Sequence, residues 1–198
     1  MNADQQFLLL QSVNQLGDGV GISVEPCRRD TFPAIALATN YLVDILGKDP
    51  EETVVVCPVD PYVEDDYYVV LKELSELVEK EDAGIVLMGI EPTSAADKFG
   101  YILPETKDQV SKVKTFKENP DEASAKKYIE QGALWNSGVF AFKIKYMLEM
   151  LHKLFDYEDY HDLLNKLFEL CDSLLICKFD YYFIQMLIFI FMEYFTIS

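Results

Sequence analysis

Two short apolar runs, TVVVCPVD at 53–60 and GIVLMGI at 84–90, constrain this chain more than any other feature. Each is rich in β-branched residues and continuous in apolar character, as expected of a strand covered on both faces. Between them, Glu64 to Lys80 keeps Val70, Leu74, Leu77 and Val78 to one side of a helix. Strand, amphipathic helix and strand in this rhythm predict an α/β domain with a mostly parallel central sheet flanked by helices. In such sheets ligands gather beyond the carboxyl ends of the strands.

The flanking sequence extends the pattern. Met1 to Leu16 has helical apolar spacing, Gly17-Asp18-Gly19 breaks it, and a strand is expected at Val20–Val24. Glu25-Pro26 ends that strand, and Thr31 with Pro33 heads a helix through AIALATNYLVDIL that Gly47 closes. Beyond Gly100 the spacing predicts extended segments at Tyr101–Pro104 and Val110–Glu118, a helix over Asp121–Gln131, and a strand in WNSGVFAFK at 135–143. No internal repeat is visible. Residues 1–178 read as one domain and 179–198 as a divergent apolar segment. The run YYFIQMLIFIFM at 181–192 is shorter than the roughly 20 residues a membrane helix needs, and reads as a buried strand or helix or an interface segment.

Charge and cysteine usage narrow the partners. With 34 acidic and 17 basic residues the net charge is -17 at pH 7. Such a surface repels nucleic-acid backbones and anionic membranes, so neither is an expected partner, and any phosphate has to be held by a few placed groups. Cys27, Cys57, Cys171 and Cys177 form no CxxC pair and have no His at zinc spacing, which argues against a metal or disulfide frame. No basic stretch opens the chain, so a secretory signal is not expected and a cytoplasmic location is. GDGVG at 17–21 is not read as a phosphate loop, because a strand follows it and no Lys or Arg completes it. His152 and His161 lack a nucleophile partner and read as packing or surface groups.

Several polar residues stand at strand ends. Asp60, between Pro58 and Pro61, is placed to bind Mg²⁺, a hard cation that takes oxygen ligands, although a turn-forming Asp is the commoner meaning of such a residue. Glu118 in FKENPD and Asn136 in LWNSGVF suit sugar hydroxyls, and suit turns equally. In EPCRRDTFPAIALA, Arg28 and Arg29 could meet phosphate oxygens ahead of a helix N-terminus, and Glu25 could accept the two donors of a guanine edge. A helix cap with a surface Arg pair accounts for the same residues.

Read in order, EPCRRDTFPAIALA (25–38), VVVCPVDPYVEDD (54–66), LMGIEPTSAADKFGYILP (87–104), FKENPD (116–121) and WNSGVFAFK (135–143) resemble the sugar-1-phosphate nucleotidyltransferases, most closely the mannose-1-phosphate guanylyltransferases. The similarity runs from about Asp4 to about Leu170. It implies a Rossmann-like nucleotidyltransferase domain, and a reaction in which mannose 1-phosphate attacks the α-phosphorus of GTP to give GDP-mannose and diphosphate. Mg²⁺ would neutralise charge in the transition state of this nucleotidyl transfer. By motif position Asp60 matches the catalytic metal aspartate, and Gly100, Glu118 and Asn136 match sugar contacts. Glu25 lies where relatives read the base, and Arg29 is a candidate nucleotide contact.

The resemblance also has gaps. The family's GGxGTRLxPLS loop, which cradles the triphosphate, is not present ahead of Glu25. The domain is thus expected to be incomplete at its N-terminus. Asn119 stands where FxEKP has Lys, removing a positive charge. The second metal aspartate of the SFDYAVxE motif corresponds to Asp180 in KFDYYFIQ, with Lys178 for Ser and Gln185 for Glu. The chain is therefore expected to be incompetent alone and to require the missing N-terminal segment, with a homo-oligomer or a chain that supplies that segment as the partners to expect. A non-catalytic sugar-nucleotide-binding or regulatory subunit, and a nucleotidyltransferase for another sugar 1-phosphate, are the alternative readings.

Overall fold

The structure is a computed structural model and describes residues 21–23, 31–58, 62–80, 83–171 and 195–197. The expected helix at 1–16 lies outside the described residues. Of the expected strand at 20–24, Gly21 to Ser23 are described and are irregular. The regular elements are α1 (Thr31–Asn40), β1 (Thr53–Val56), α2 (Asp65–Lys80), β2 (Ile85–Ile90), β3 (Tyr101–Pro104), β4 (Val110–Lys117), α3 (Glu122–Glu130), β5 (Leu134–Lys143), α4 (Ile144–Leu154), α5 (Tyr160–Cys171) and β6 (Phe195–Ile197). A π-helical turn, Tyr41–Ile45, continues α1, and Gly47 follows with φ +63°. That dihedral suits glycine and ends the helix where the sequence predicts.

The strands form one sheet in the order β1-β5-β2-β6-β4-β3, and β3 also pairs with β5. Strands β2, β6, β4, β3 and β5 therefore close a circuit of pairings, and β1 lies outside it. The expectation of a mostly parallel sheet needs correction. Among the described strands, β2–β6 is the one parallel pairing, and all others are antiparallel. β1, β2, β3 and β6 do run in one direction. The reason is β5, which runs the other way and inserts between β1 and β2, turning what would be a parallel pair into two antiparallel ones.

Alternation along β2 and β5 builds two cores. Ile85, Leu87, Phe140 and Phe142 face α1, α4 and α5, joining Phe32, Ile35, Leu37, Met147, Leu151 and Leu163. Val86, Met88, Val139 and Ala141 face α2, where they meet Leu74 and Val78. Each large side chain buried this way contributes about 1.5–3 kcal/mol. A third cluster packs Tyr101 and Leu103 against Ala125 of α3 and Ala133. The strand at 53–60 is expected to be fully buried, but β1 is half-buried along its length. Its neighbour among the described strands is β5 alone.

One contact distant in sequence fixes a helix start. The Asp44 Oδ2 accepts the backbone N–H of Tyr160, the first residue of α5, at 2.7 Å. Helix N-termini leave four N–H groups without intrahelical partners, and here a residue of the π-helical turn satisfies one. The Tyr41 ring meets the Tyr160 ring edge-on beside it, with centroids 5.5 Å apart. His152 stacks on Tyr157 and His161 abuts Tyr160, which gives both histidines packing roles. Replacing Asp44 by Ala should lower the unfolding free energy by about 1 kcal/mol in urea denaturation. An unchanged midpoint would show that the cap carries no stability.

Candidate functional site

The pairing pattern of β5 creates a break in the sheet. On one edge β5 pairs with β1 through Phe140–Lys143 and with β3 through Leu134 and Trp135. Both β1 and β3 run antiparallel to β5, so they follow one another end to end along that edge. Opposite Asn136–Gly138 the chain is leaving β1 and, farther on, entering β3. Such interruptions in strand succession form crevices in α/β sheets.

Three of the residues singled out from the sequence meet at this break. The backbone N–H of Asn136 donates to the carbonyl of Gly100 at 2.8 Å. The register pairs Tyr101 with Lys117, which sets Gly100 opposite Glu118 one step farther on. A Cβ built on Gly100 would lie 2.6 Å from Glu118 Oε2 and 2.6 Å from Phe116 Cζ. Only a glycine allows the carboxylate and the ring to approach the backbone this closely. The Asn136 Oδ1 accepts the N–H of Gly138 at 3.2 Å, which leaves its Nδ2 as the amide's remaining donor group. Glu118 is exposed and Asn136 half-buried, so an acceptor and a donor flank one glycine at the surface. That pair suits a ring bearing several hydroxyls.

The neighbouring residues frame the break. Gly138 has φ +75°, and a Cβ there would come to 3.7 Å from Pro58 Cγ, so the end of β1 lies against it. Phe99 and Trp135 pack at a centroid distance of 4.6 Å beside Gly100. Asn119 has φ +43°, a left-handed conformation that Asn tolerates better than most residues. Asp121 then caps α3, accepting from Ser124 N at 2.8 Å and Ser124 Oγ at 3.0 Å. Those hydrogen bonds, the backbone one first, hold its carboxyl below its ordinary value of 3.8.

Glu25, Arg28, Arg29, Asp60 and Asp180 lie outside the described residues. Among the described residues no group of three or more His, Cys, Asp or Glu is arranged to hold a metal ion. Cys57, the residue after β1, forms no disulfide. Among the described helices none is long and apolar enough to cross a membrane. A separate open cleft of about 470 Å³ lies at the turn between β3 and β4, lined by Glu91, Glu105, Lys107, Asp108 and Gln131 among others. It shares no lining residue with the Gly100, Glu118 and Asn136 group.

What the sequence reading passes over is Ser137, which it takes only as part of a turn. Its hydroxyl donates to Met88 O at 2.7 Å across a register shift between β2 and β5. A Ser-Gly pair inside a strand pattern is the signal for such a bulge.

Two outcomes test this geometry. Gly100→Ala should cost about 1–3 kcal/mol of stability, because the buried Phe116 ring has to move, and should displace the Glu118 carboxylate. An unchanged urea midpoint would contradict the close approach. Asp121→Ala should lower the melting temperature near neutral pH. A depressed carboxyl stabilises above its unfolded value and loses that contribution as pH falls through the folded one, so the difference should fade as pH drops below 3.8. A difference that persists at lower pH would show that the cap acts otherwise.

Comparison with known proteins gives the family of the chain. The family model for nucleotidyl transferases matches residues 1–177. The alginate biosynthesis protein AlgA of Pseudomonas putida is 34% identical over 161 residues, covering 77% of this chain and 32% of its own length. The mannose-1-phosphate guanylyltransferase of Salmonella muenchen is 33% identical over 161 residues, covering 77% of this chain and 33% of its own length. The chain thus spans about a third of the length of these curated relatives. Among solved structures, a Thermus thermophilus protein described as a mannose-1-phosphate geranyltransferase superposes with TM-score 0.69 at 25% identity, covering 100% of this chain and 57% of the other. A UDP-glucose pyrophosphorylase shares the fold with TM-score 0.51 at 16% identity, over 80% of this chain and 55% of the other. On the match over 1–177 and relatives above 30% identity, this chain belongs to the nucleotidyl transferase family, and mannose-1-phosphate guanylyltransferases are among its homologues.

Proposed function

We propose that this chain carries the sugar-binding side of a mannose-1-phosphate guanylyltransferase, which joins GTP and mannose 1-phosphate into GDP-mannose with release of diphosphate. The observation that carries the reading is the approach of Glu118 to Gly100, with Asn136 bonded to the same glycine. In this reading the Glu118 carboxylate accepts from sugar hydroxyls and the Asn136 amide donates to another. The Gly100 backbone lets the ring lie close. Glu25 reads the guanine edge and Arg29 meets nucleotide phosphate. Holding the sugar phosphate in one orientation lowers the entropy cost of an in-line attack on phosphorus.

Magnesium belongs to the same proposal. In this reading its ligands would be Asp60, two residues beyond the Pro58 that abuts Gly138, together with Asp180, by their motif positions. The ion would supply charge neutralisation at the phosphates.

This polypeptide is proposed to be incompetent alone. It contains no glycine-rich triphosphate loop of the family form, and Asn119 offers the sugar phosphate no positive charge. Mixed with GTP, mannose 1-phosphate and Mg²⁺, the 198-residue chain should release no diphosphate above the blank. Mannose 1-phosphate should bind with a dissociation constant of roughly 1 mM, so that 10 mM ligand stabilises the fold by about 1.4 kcal/mol. GDP-mannose should raise the melting temperature more than ADP-glucose or UDP-glucose does. Steady diphosphate release would overturn the incompetence, and a chain that responds to none of these ligands would overturn the sugar reading itself.

A further inference from the structure

The residue between Asn136 and Gly138 has a role that neither the motif nor the fold explains. Along β2 the register passes from Leu87 opposite Phe140 to Gly89 opposite Asn136, so two steps on β2 correspond to four on β5. Two residues of β5 are therefore surplus at this point, and the regular ladder of backbone hydrogen bonds cannot continue through them. Backbone groups at such a bulge need other partners. Ser137 supplies them with one atom. Its hydroxyl donates to Met88 O on β2 at 2.7 Å and accepts the N–H of Val139 on its own strand at 3.2 Å. One side chain thus replaces the missing rung and pins the bulge to β2.

The bulge determines what Asn136 can offer. Its backbone N–H is committed to the Gly100 carbonyl at 2.8 Å. Its Oδ1 is committed to the Gly138 N–H at 3.2 Å, a direction set by the backbone dihedrals of Asn136 and Ser137. An N–H can bond only to an acceptor, so this contact fixes which end of the amide is oxygen. The Nδ2 is left as the donor, with no partner among the described residues. Were the bulge released, the Ser137 backbone would be free to turn the Gly138 N–H away, and the amide could then rotate and present oxygen beside the Glu118 carboxylate. Two acceptors side by side would no longer match a hydroxyl that both donates and accepts.

We infer that Ser137 is the positioning residue of the sugar site: by clamping the β5 bulge to Met88 O it holds the Asn136 amide with its nitrogen toward the ligand. Ser137 acts through Asn136 and does not itself touch the sugar. The inference rests on the sugar-site reading above for its effect on binding. Its structural half stands independently of any ligand.

Two measurements on the 198-residue chain test it. In the absence of ligand, amide hydrogen exchange is followed by NMR at Gly138 and Val139. Ser137→Ala should speed exchange at both about tenfold, and Ser137→Thr, which keeps the hydroxyl, should stay within about threefold of the parent. Unchanged exchange in Ser137→Ala would overturn the clamp. The second measurement titrates mannose 1-phosphate into the parent, Ser137→Ala, Asn136→Ala and the double variant. Loss of one hydrogen bond's worth of ordering predicts affinity about five- to tenfold weaker in Ser137→Ala. In the Asn136→Ala background the same change should alter affinity less than about twofold, because the group it positions is gone. Equal weakening in both backgrounds would overturn the positioning role. If no variant, parent included, binds mannose 1-phosphate, the sugar-site reading fails and the exchange measurement alone decides the clamp. Should Ser137→Ala not fold, Ser137→Cys, similar in size and a weaker donor, takes its place in both measurements.

Discussion

The pairing of β5 with three different strands is the constraint on which the rest of the molecule depends. Leu134–Lys143 contacts β2 along one edge and both β1 and β3 along the other. Its alternate side chains also feed the two largest cores: Phe140 and Phe142 pack beneath α1, α4 and α5, and Val139 and Ala141 pack beneath α2. Because a one-residue slip in a strand exchanges its two faces, each core enforces the register that the other needs. The strand is locked over its second half. Its first half is then left to accommodate the irregularity at Asn136–Gly138.

That division explains why chemistry can be sited on a strand at all. The locked half makes the sheet rigid, and the bulged half redirects one amide without disturbing the packing behind it. Gly100 and Gly138 serve this in different ways. Gly100 removes a Cβ that would collide with Glu118 and Phe116, whereas Gly138 adopts a dihedral that side chains disfavour. An acidic molecule of net charge -17 gains little from bulk attraction for a phosphorylated ligand, so recognition has to rest on short-range contacts of this kind.

Much of this was legible in the sequence. The helix at Glu64–Lys80 begins at Asp65, the strands at 84–90 and 101–104 are present, and Asp121 and Gln131 flank α3 as cap residues. Periodicity suffices for these because burial on one face dictates it. Strand direction was not legible, because nothing local in WNSGVFAFK states that it will insert antiparallel between β1 and β2. The half-burial of β1 follows from sheet order and was hidden for the same reason. Gly100, Glu118 and Asn136, which the structure brings together, were singled out in the sequence through motif order. The tie made by Ser137 was missed because a hydroxyl reaching a carbonyl 49 positions away leaves no trace in spacing.

The left-handed backbone at Asn119 has a consequence for how this site could change over time. A lysine introduced there would add a cation, but it lacks the short polar side chain that eases this conformation for Asn, so it would be disfavoured by part of the roughly 1–2 kcal/mol that a left-handed residue costs. Glycine would accept the conformation and bring no charge. A single change from Asn119 to lysine is therefore opposed by local geometry. Placing a lysine there without strain would require the Glu118–Pro120 loop to be rebuilt first, so the order of substitutions, and not only their sum, limits how a positive charge can be added at this position.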